Sequence, residues 1–192
     1  DPKNIKKKGD FLNRLIFDEI FSTMLINSNI RKSIKKTKKI KKKFNSTPFE
    51  NIKEKLNFNL TKDQLNAIND INNDLSSDRK MFRLLQGDVG SGKTIVALVC
   101  CLNVINSNFQ ASFMAPTEIL AIQHYELAKQ LFGKNITVKL LTSKTDYSDR
   151  KQILNDLKNN KIDLLVGTHS LFQEKIIYRN LGLIVIDEQH KF

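Results

Sequence analysis

The chain has 192 residues, enough for one sizeable α/β core with some length left over. Hydrophobic residues make up 40% and charged residues 27%, with a formal net charge of +12, which suits a globular protein with a basic bias. No uninterrupted apolar stretch approaches a membrane span, and Asp1-Pro2-Lys3 opens no signal-peptide pattern, which argues against membrane-embedded and secreted classes.

Residues 10–30 place Leu12, Leu15, Ile16, Ile20, Met24 and Leu25 close to helical spacing. Residues 31–43 follow as RKSIKKTKKIKKK, with nine Lys/Arg and no acid. The net charge is concentrated there: residues 1–43 hold 14 Lys+Arg against 4 Asp+Glu, whereas residues 44–192 hold 18 against 16. A long helix with such a second half could track a nucleic-acid backbone, each lysine offering a charge to a phosphate; a solvated helix tail would have the same composition. Asn45-Ser46-Thr47-Pro48 breaks it.

Thr61 is a good N-cap, and Gln64 falls three residues later as in a capping box that opens a helix over residues 65–71. Residues 81–86 are short, largely apolar and end at Gly87, as a buried strand would. Next come Gly87-Asp88-Val89-Gly90-Ser91-Gly92-Lys93-Thr94, which match the phosphate-loop pattern G-x-x-x-x-G-K-[ST]. Strand, glycine-rich loop and helix turn backbone N–H groups and a helix N-terminus toward a phosphate. In that arrangement Lys93 reaches the β- and γ-phosphates of ATP and the Thr94 hydroxyl holds Mg²⁺. The apolar run over residues 95–102 reads as a covered helix, and the adjacent Cys100 and Cys101 point in different directions on it. They read as small core residues in a reducing compartment, so a cytoplasmic protein is expected.

The remainder alternates. Residues 111–115, 137–141, 162–166 and 183–186 are strand-like, separated by helical patterns ending near Phe132 and covering residues 149–157. This predicts a parallel sheet flanked by helices, with ligands at the carboxyl ends of the strands. Pro116-Thr117-Glu118 and Thr168-His169-Ser170 each follow a strand and open a helix; as phosphate grips or as plain caps they would read alike. The last strand delivers Asp187 and Glu188, a carboxylate to hold Mg²⁺ opposite Thr94 and another to polarise the attacking water. His190 could bridge the nucleotide site to DNA or to a second domain, and His124 and His169 have no spacing that suggests zinc.

Taken together, GDVGSGKT, MAPTEILAIQHYE, GTHSLFQ and VIDEQHKF, with LTKDQ before them, resemble the first RecA-like motor domain of superfamily 2 helicases, and most of all the RecG branched-DNA helicases. The resemblance is strong over residues 50–192, and FLNRLIFDEIF at residues 11–21 looks like the helix joining the RecG wedge domain to its motor. It implies a basic helical linker over residues 1–48 and a helicase ATP-binding domain over residues 49–192, cut after the DEQH motif. It also implies ATP-driven translocation on DNA, with regression of stalled forks and branch migration of junctions. By position, Lys93, Asp187 and Glu188 become catalytic, Gln64 serves adenine, and Pro116, Thr117, Thr168 and His169 lie in segments that touch the DNA backbone. Ser143 stands where relatives usually carry Gly, and Lys191 where they carry Arg, which keeps the charge but loses a bidentate fork. A monomer is expected, partnered by DNA and by the wedge and second motor domains of a longer chain; without them the 192 residues should bind nucleotide weakly and not unwind DNA. The alternative is a metabolic or signalling phosphate-loop NTPase that does not act on DNA.

Overall fold

The structure, a computed structural model, describes residues 13–14, 16–26, 28–29, 56, 58–172 and 176–188. The basic run at 31–43, the break at 45–48, His190 and Lys191 lie outside the described residues. Residues 16–26 are helical, as the spacing predicts, with Phe17 and Phe21 stacked at a centroid distance of 5.8 Å.

The body begins with helix α1 (Lys62–Ser76), followed by α2 (Lys93–Asn106), β1 (Gln110–Met114), α3 (Glu118–Phe132), β2 (Val138–Leu141), α4 (Tyr147–Lys158), β3 (Leu164–Gly167), a short 3₁₀ turn (His169–Phe172) and β4 (Leu181–Ile186). The four strands form one parallel sheet in the order β2-β3-β1-β4. Parallel strands need crossovers, and the helices between them cover both faces. Alternation along β1 and β3 assigns the faces. Ala111, Phe113, Leu164 and Val166 join the core built with α1, α2 and α3, whereas Met114 and Leu165 join Ile153 and Leu157 of α4 on the other side. The result is the expected α/β sandwich of helices on a parallel sheet.

Two local devices fix the ends. Thr61 caps α1 with a complete capping box: its hydroxyl accepts from the Gln64 N–H, and the Gln64 carbonyl accepts from the Thr61 N–H at 2.9 Å. At the amino end of the sheet the buried Gln110 side chain donates to the carbonyls of Leu157 and Ile162 and accepts from the Asn180 N–H. One amide thus satisfies three backbone groups around the start of β1, each of which would cost about 1–3 kcal/mol if buried unpaired.

Residues 81–86 depart from expectation. They have no regular secondary structure and pair with no strand among the described residues. Met81 and Leu85 pack on the core while Phe82 and Leu84 stay 78% and 72% exposed, so the strand-like alternation is satisfied by packing one side alone. Arg83 ties the segment to α1 instead, its Nε donating to Asp74 at 2.8 Å and its guanidinium lying 3.4 Å from Asp70.

Cys100 and Cys101 are free and buried on α2, as expected. Burial pushes the Cys100 thiol up to about 12 and the Cys101 thiol higher still. Both therefore remain protonated and inert in the folded protein. A disulfide dye such as Ellman's reagent is expected to leave both thiols unmodified in native buffer and to titrate both in denaturant; labelling at the free-cysteine rate without denaturant would contradict this burial.

Candidate active site

Because every strand is parallel, all carboxyl ends lie along one edge of the sheet. The register pairs Leu141 with Gly167, Gly167 with Met114, and Met114 with Ile186. The next residues of the four strands, Thr142, Thr168, Ala115 and Asp187, therefore form a row. With neighbouring strands about 4.8 Å apart, that row is roughly 14 Å long. Two bonds continue the ladders into it: Ala115 N–H donates to the Gly167 carbonyl at 2.9 Å and Asp187 N–H to the Met114 carbonyl at 2.8 Å.

The phosphate-loop residues enter α2 beside this row. Gly90 and Gly92 both take left-handed conformations, with φ of 80° and 81°. Gly92 is the N-cap of α2 and its left-handed backbone favours glycine; a Cβ there would also meet the Gln64 amide nitrogen and push that side chain aside. Lys93 folds back over the loop and its Nζ donates to the carbonyls of Gly87 and Asp88, each at 2.7 Å. Thr94 is half-buried in the first turn of α2, and Val89 is exposed at the loop tip. Ser91 closes the turn by donating its N–H to the Asp88 carbonyl.

Gln64 has two structural jobs. Besides the capping box, its Nε2 donates to the Ser91 carbonyl at 2.8 Å, linking α1 to the loop. A primary amide has two donor protons and two acceptor lone pairs, so one of each remains for a ligand.

Asp187 begins where β4 ends. Its Oδ2 lies 2.8 Å from Nε2 of His124, a buried residue of α3. That hydrogen bond is the main reason the Asp187 carboxyl is held below the usual carboxylate range, with burial opposing and the Lys93 charge helping. The Lys93 contribution puts the loop lysine and the strand carboxylate within electrostatic reach. Glu188 follows with φ of 48°, a left-handed backbone unusual for a residue with a side chain. Strain of this kind costs on the order of 1–3 kcal/mol and tends to persist at functional sites.

The other motifs share the edge. Thr117 caps α3 by accepting from the Leu120 N–H at 3.3 Å, leaving Pro116 and Thr117 at a helix N-terminus. Glu118, in the first turn, pairs with Lys144 at 2.8 Å, and that contact together with the Thr142 hydroxyl keeps its carboxyl low. This joins the loop after β2 to the start of α3. Ser143, in that loop, is not among the residues with positive φ. Thr168 and the exposed His169 follow β3, and residues His169–Phe172 form a 3₁₀ turn directly before residues 173–175, which lie outside the described residues.

A family model described as "DEAD/DEAH box helicase" matches residues 61–192. The chain belongs to the DEAD/DEAH box helicase family. Among curated proteins it is similar to the ATP-dependent DNA helicase RecG of Thermotoga maritima, 46% identical over 180 residues that cover 93% of this chain and 23% of the relative. RecG of Aquifex aeolicus is 45% identical over the same shares. Among solved structures, one described as RecG bound to a three-way DNA junction superposes with a TM-score of 0.84 at 45% identity, covering 94% of this chain and 25% of that one. The chain thus spans about a quarter of the length of these relatives. Its parallel sheet flanked by helices is the RecA-like helicase domain that the motifs predict.

In this helicase-family chain the side chains fit Mg²⁺ and a nucleotide. The donors at the edge are a hydroxyl and carboxylates, hard oxygen ligands suited to Mg²⁺. Among the described residues there is no group of three or more His, Cys, Asp or Glu that could hold a metal ion. Among those residues, too, no helix is long and apolar enough to cross a membrane.

Spacing along the chain rules out a zinc pairing for His124 but does not reveal its partner. Its contact with Asp187 joins residues 63 apart in the chain. The available signal was its position: seven residues after Thr117, on the same face of α3 as the buried Ala121 and Ala128, where a polar ring needs a polar partner.

Proposed function

We propose that this domain is the ATP-hydrolysing part of a DNA motor that remodels branched DNA. What carries the reading is the shared edge: the Asp187-Glu188 pair and the two Thr-bearing segments stand at the carboxyl ends of one parallel sheet, and the phosphate loop brings the Lys93 charge within reach of Asp187. The similarity to RecG helicases, one of them seen on a three-way junction, supports branched DNA as the substrate.

The loop N–H groups and Lys93 bind the β- and γ-phosphates, and the Gln64 amide edge serves adenine. Thr94 and Asp187 hold Mg²⁺, which when bound neutralises charge developing on the phosphates. Glu188 orients a water for attack on the γ-phosphorus and takes up its proton as the new O–P bond forms and the bond to the bridging oxygen of the departing ADP breaks. Hydrolysis of this kind depends on positioning and charge neutralisation, so a preorganised edge can supply most of what is needed. Pro116, Thr117, Thr168 and His169 face the DNA backbone, gripping phosphates without reading bases. The wedge and second motor domains of such helicases, and the basic residues at 31–43, complete the DNA path in this reading.

Thr117→Asp separates the capping role of that residue from its DNA role. Aspartate caps a helix as well as threonine does, but it sets a negative charge against phosphate. Its melting temperature should stay within about 2 °C of the parent, given that good caps differ by only tenths of a kcal/mol. DNA affinity should fall about tenfold, the effect of roughly 1.4 kcal/mol. Unchanged affinity at low salt would remove α3 from the interface. For the function itself, the test is strand displacement from a labelled three-way junction by the full-length protein. ATP-dependent displacement on the junction, well above that on linear duplex, supports the reading. Vigorous ATP hydrolysis with no change in any DNA would favour a metabolic phosphate-loop NTPase.

A further inference from the structure

His124 sits on α3, 7% exposed, with its ring 4.8 Å from that of Phe113 on β1 and tilted by 50°. Phe113 is itself buried in the core. The ring is therefore held on one side by β1 and at one nitrogen by Asp187, 2.8 Å away. An isolated aspartate rotates freely about its last side-chain bond, since that torsion has a broad profile. Here the rotation is pinned: Oδ2 is held by His124, and the backbone N–H of Glu188 also bonds the carboxylate. An ionised carboxylate can only accept, so the His124 Nε2 carries the proton in this contact.

We propose that His124 is a positioning residue, holding the Asp187 carboxylate in the orientation from which it receives the nucleotide-bound divalent cation; this rests on the nucleotide reading above. The imidazole does not touch nucleotide or metal. It acts through Asp187 in the way that hydrogen-bond partners of metal ligands fix the geometry of those ligands, where loss of the partner typically weakens metal affinity by 10–100-fold. Placing that partner on α3 also ties the metal ligand to the helix that begins at Thr117, about two helical turns away.

The test uses the full-length protein with Mn²⁺ as the probe, free Mn²⁺ being counted by electron paramagnetic resonance in the presence of a non-hydrolysable ATP analogue. His124→Leu keeps the site apolar and removes the donor, and Mn²⁺ affinity is expected to fall about tenfold. His124→Gln offers an amide N–H to the same oxygen and is expected to recover most of that loss. Binding of the analogue in EDTA reports separately on the phosphate loop. With only three histidines in the 192 residues, ¹⁵N spectra of the histidine-labelled wild-type chain add a readout that needs no variant: His124 should be the Nε2–H tautomer. Folded Leu and Gln variants that bind Mn²⁺ as tightly as wild type would overturn the proposal, as would an Nδ1–H tautomer at His124. Should the Leu variant not fold, the Gln variant and the wild-type spectrum decide. Failure of the wild type to bind Mn²⁺ with the analogue would instead sink the nucleotide reading.

Discussion

Replacing Lys93 by Ala is expected to lower ATP hydrolysis by the full-length protein by about 10²–10³-fold, the scale set by losing one preorganised charged donor at a reacting centre. The ammonium is held at the loop by two carbonyls at 2.7 Å, within reach of the Asp187 charge. Those carbonyl bonds are exposed and exchangeable, so a phosphate oxygen can take their place without unfolding anything. Folding stability should consequently change by no more than about 0.5 kcal/mol, as for most surface substitutions. Lys93→Arg tests the geometry as distinct from the charge. Guanidinium is planar and broader than ammonium, and the two are poorly interchangeable where a compact point charge is gripped. Steady-state hydrolysis measured beside thermal melting checks both halves; a Lys93→Ala protein retaining more than about a tenth of wild-type turnover would place the phosphates elsewhere.

Gly167→Ala should damage the fold rather than the chemistry. Gly167 ends β3, an interior strand, and pairs with both Met114 and Leu141. A Cβ there would collide with the backbone oxygen of Leu141 and come within 3.0 Å of the Leu171 side chain. Leu171 can turn aside, but the Leu141 oxygen belongs to the neighbouring strand and also accepts from Ser170 at 2.9 Å. Overpacking of a close-packed core costs about 1–3 kcal/mol, and a backbone neighbour puts this site at the upper end. For a domain of this size about 3 kcal/mol corresponds to a fall in melting temperature of roughly 6–12 °C. Differential scanning calorimetry of the 192-residue chain measures it, and a shift under about 2 °C would show that β2 yields easily.

Much of this architecture is legible in the residues. Alternating strands and helices fix a parallel sheet, and parallel strands force their carboxyl ends to one edge, so the motifs that follow β1, β3 and β4 meet without further information. Local chemistry is legible too: the Thr61–Gln64 capping box and the Thr117 cap are observed where the sequence puts them. What fails is what depends on partners distant in the chain. Residues 81–86 have the alternation of a strand, yet a ladder needs a neighbour, and packing of Met81 and Leu85 satisfies the pattern without one. His124 looks like an isolated histidine until β4 brings Asp187 to it.

The most direct measurement of the central claim is steady-state ATP hydrolysis by the full-length wild-type protein without DNA, with single strands, with linear duplex and with a three-way junction, all at one salt concentration. The account predicts a low rate without DNA, rising several-fold or more on the junction and less on the other two. A rate that is the same in all four conditions would contradict it, because a nucleotide site and a DNA grip built on one sheet edge should not be indifferent to each other.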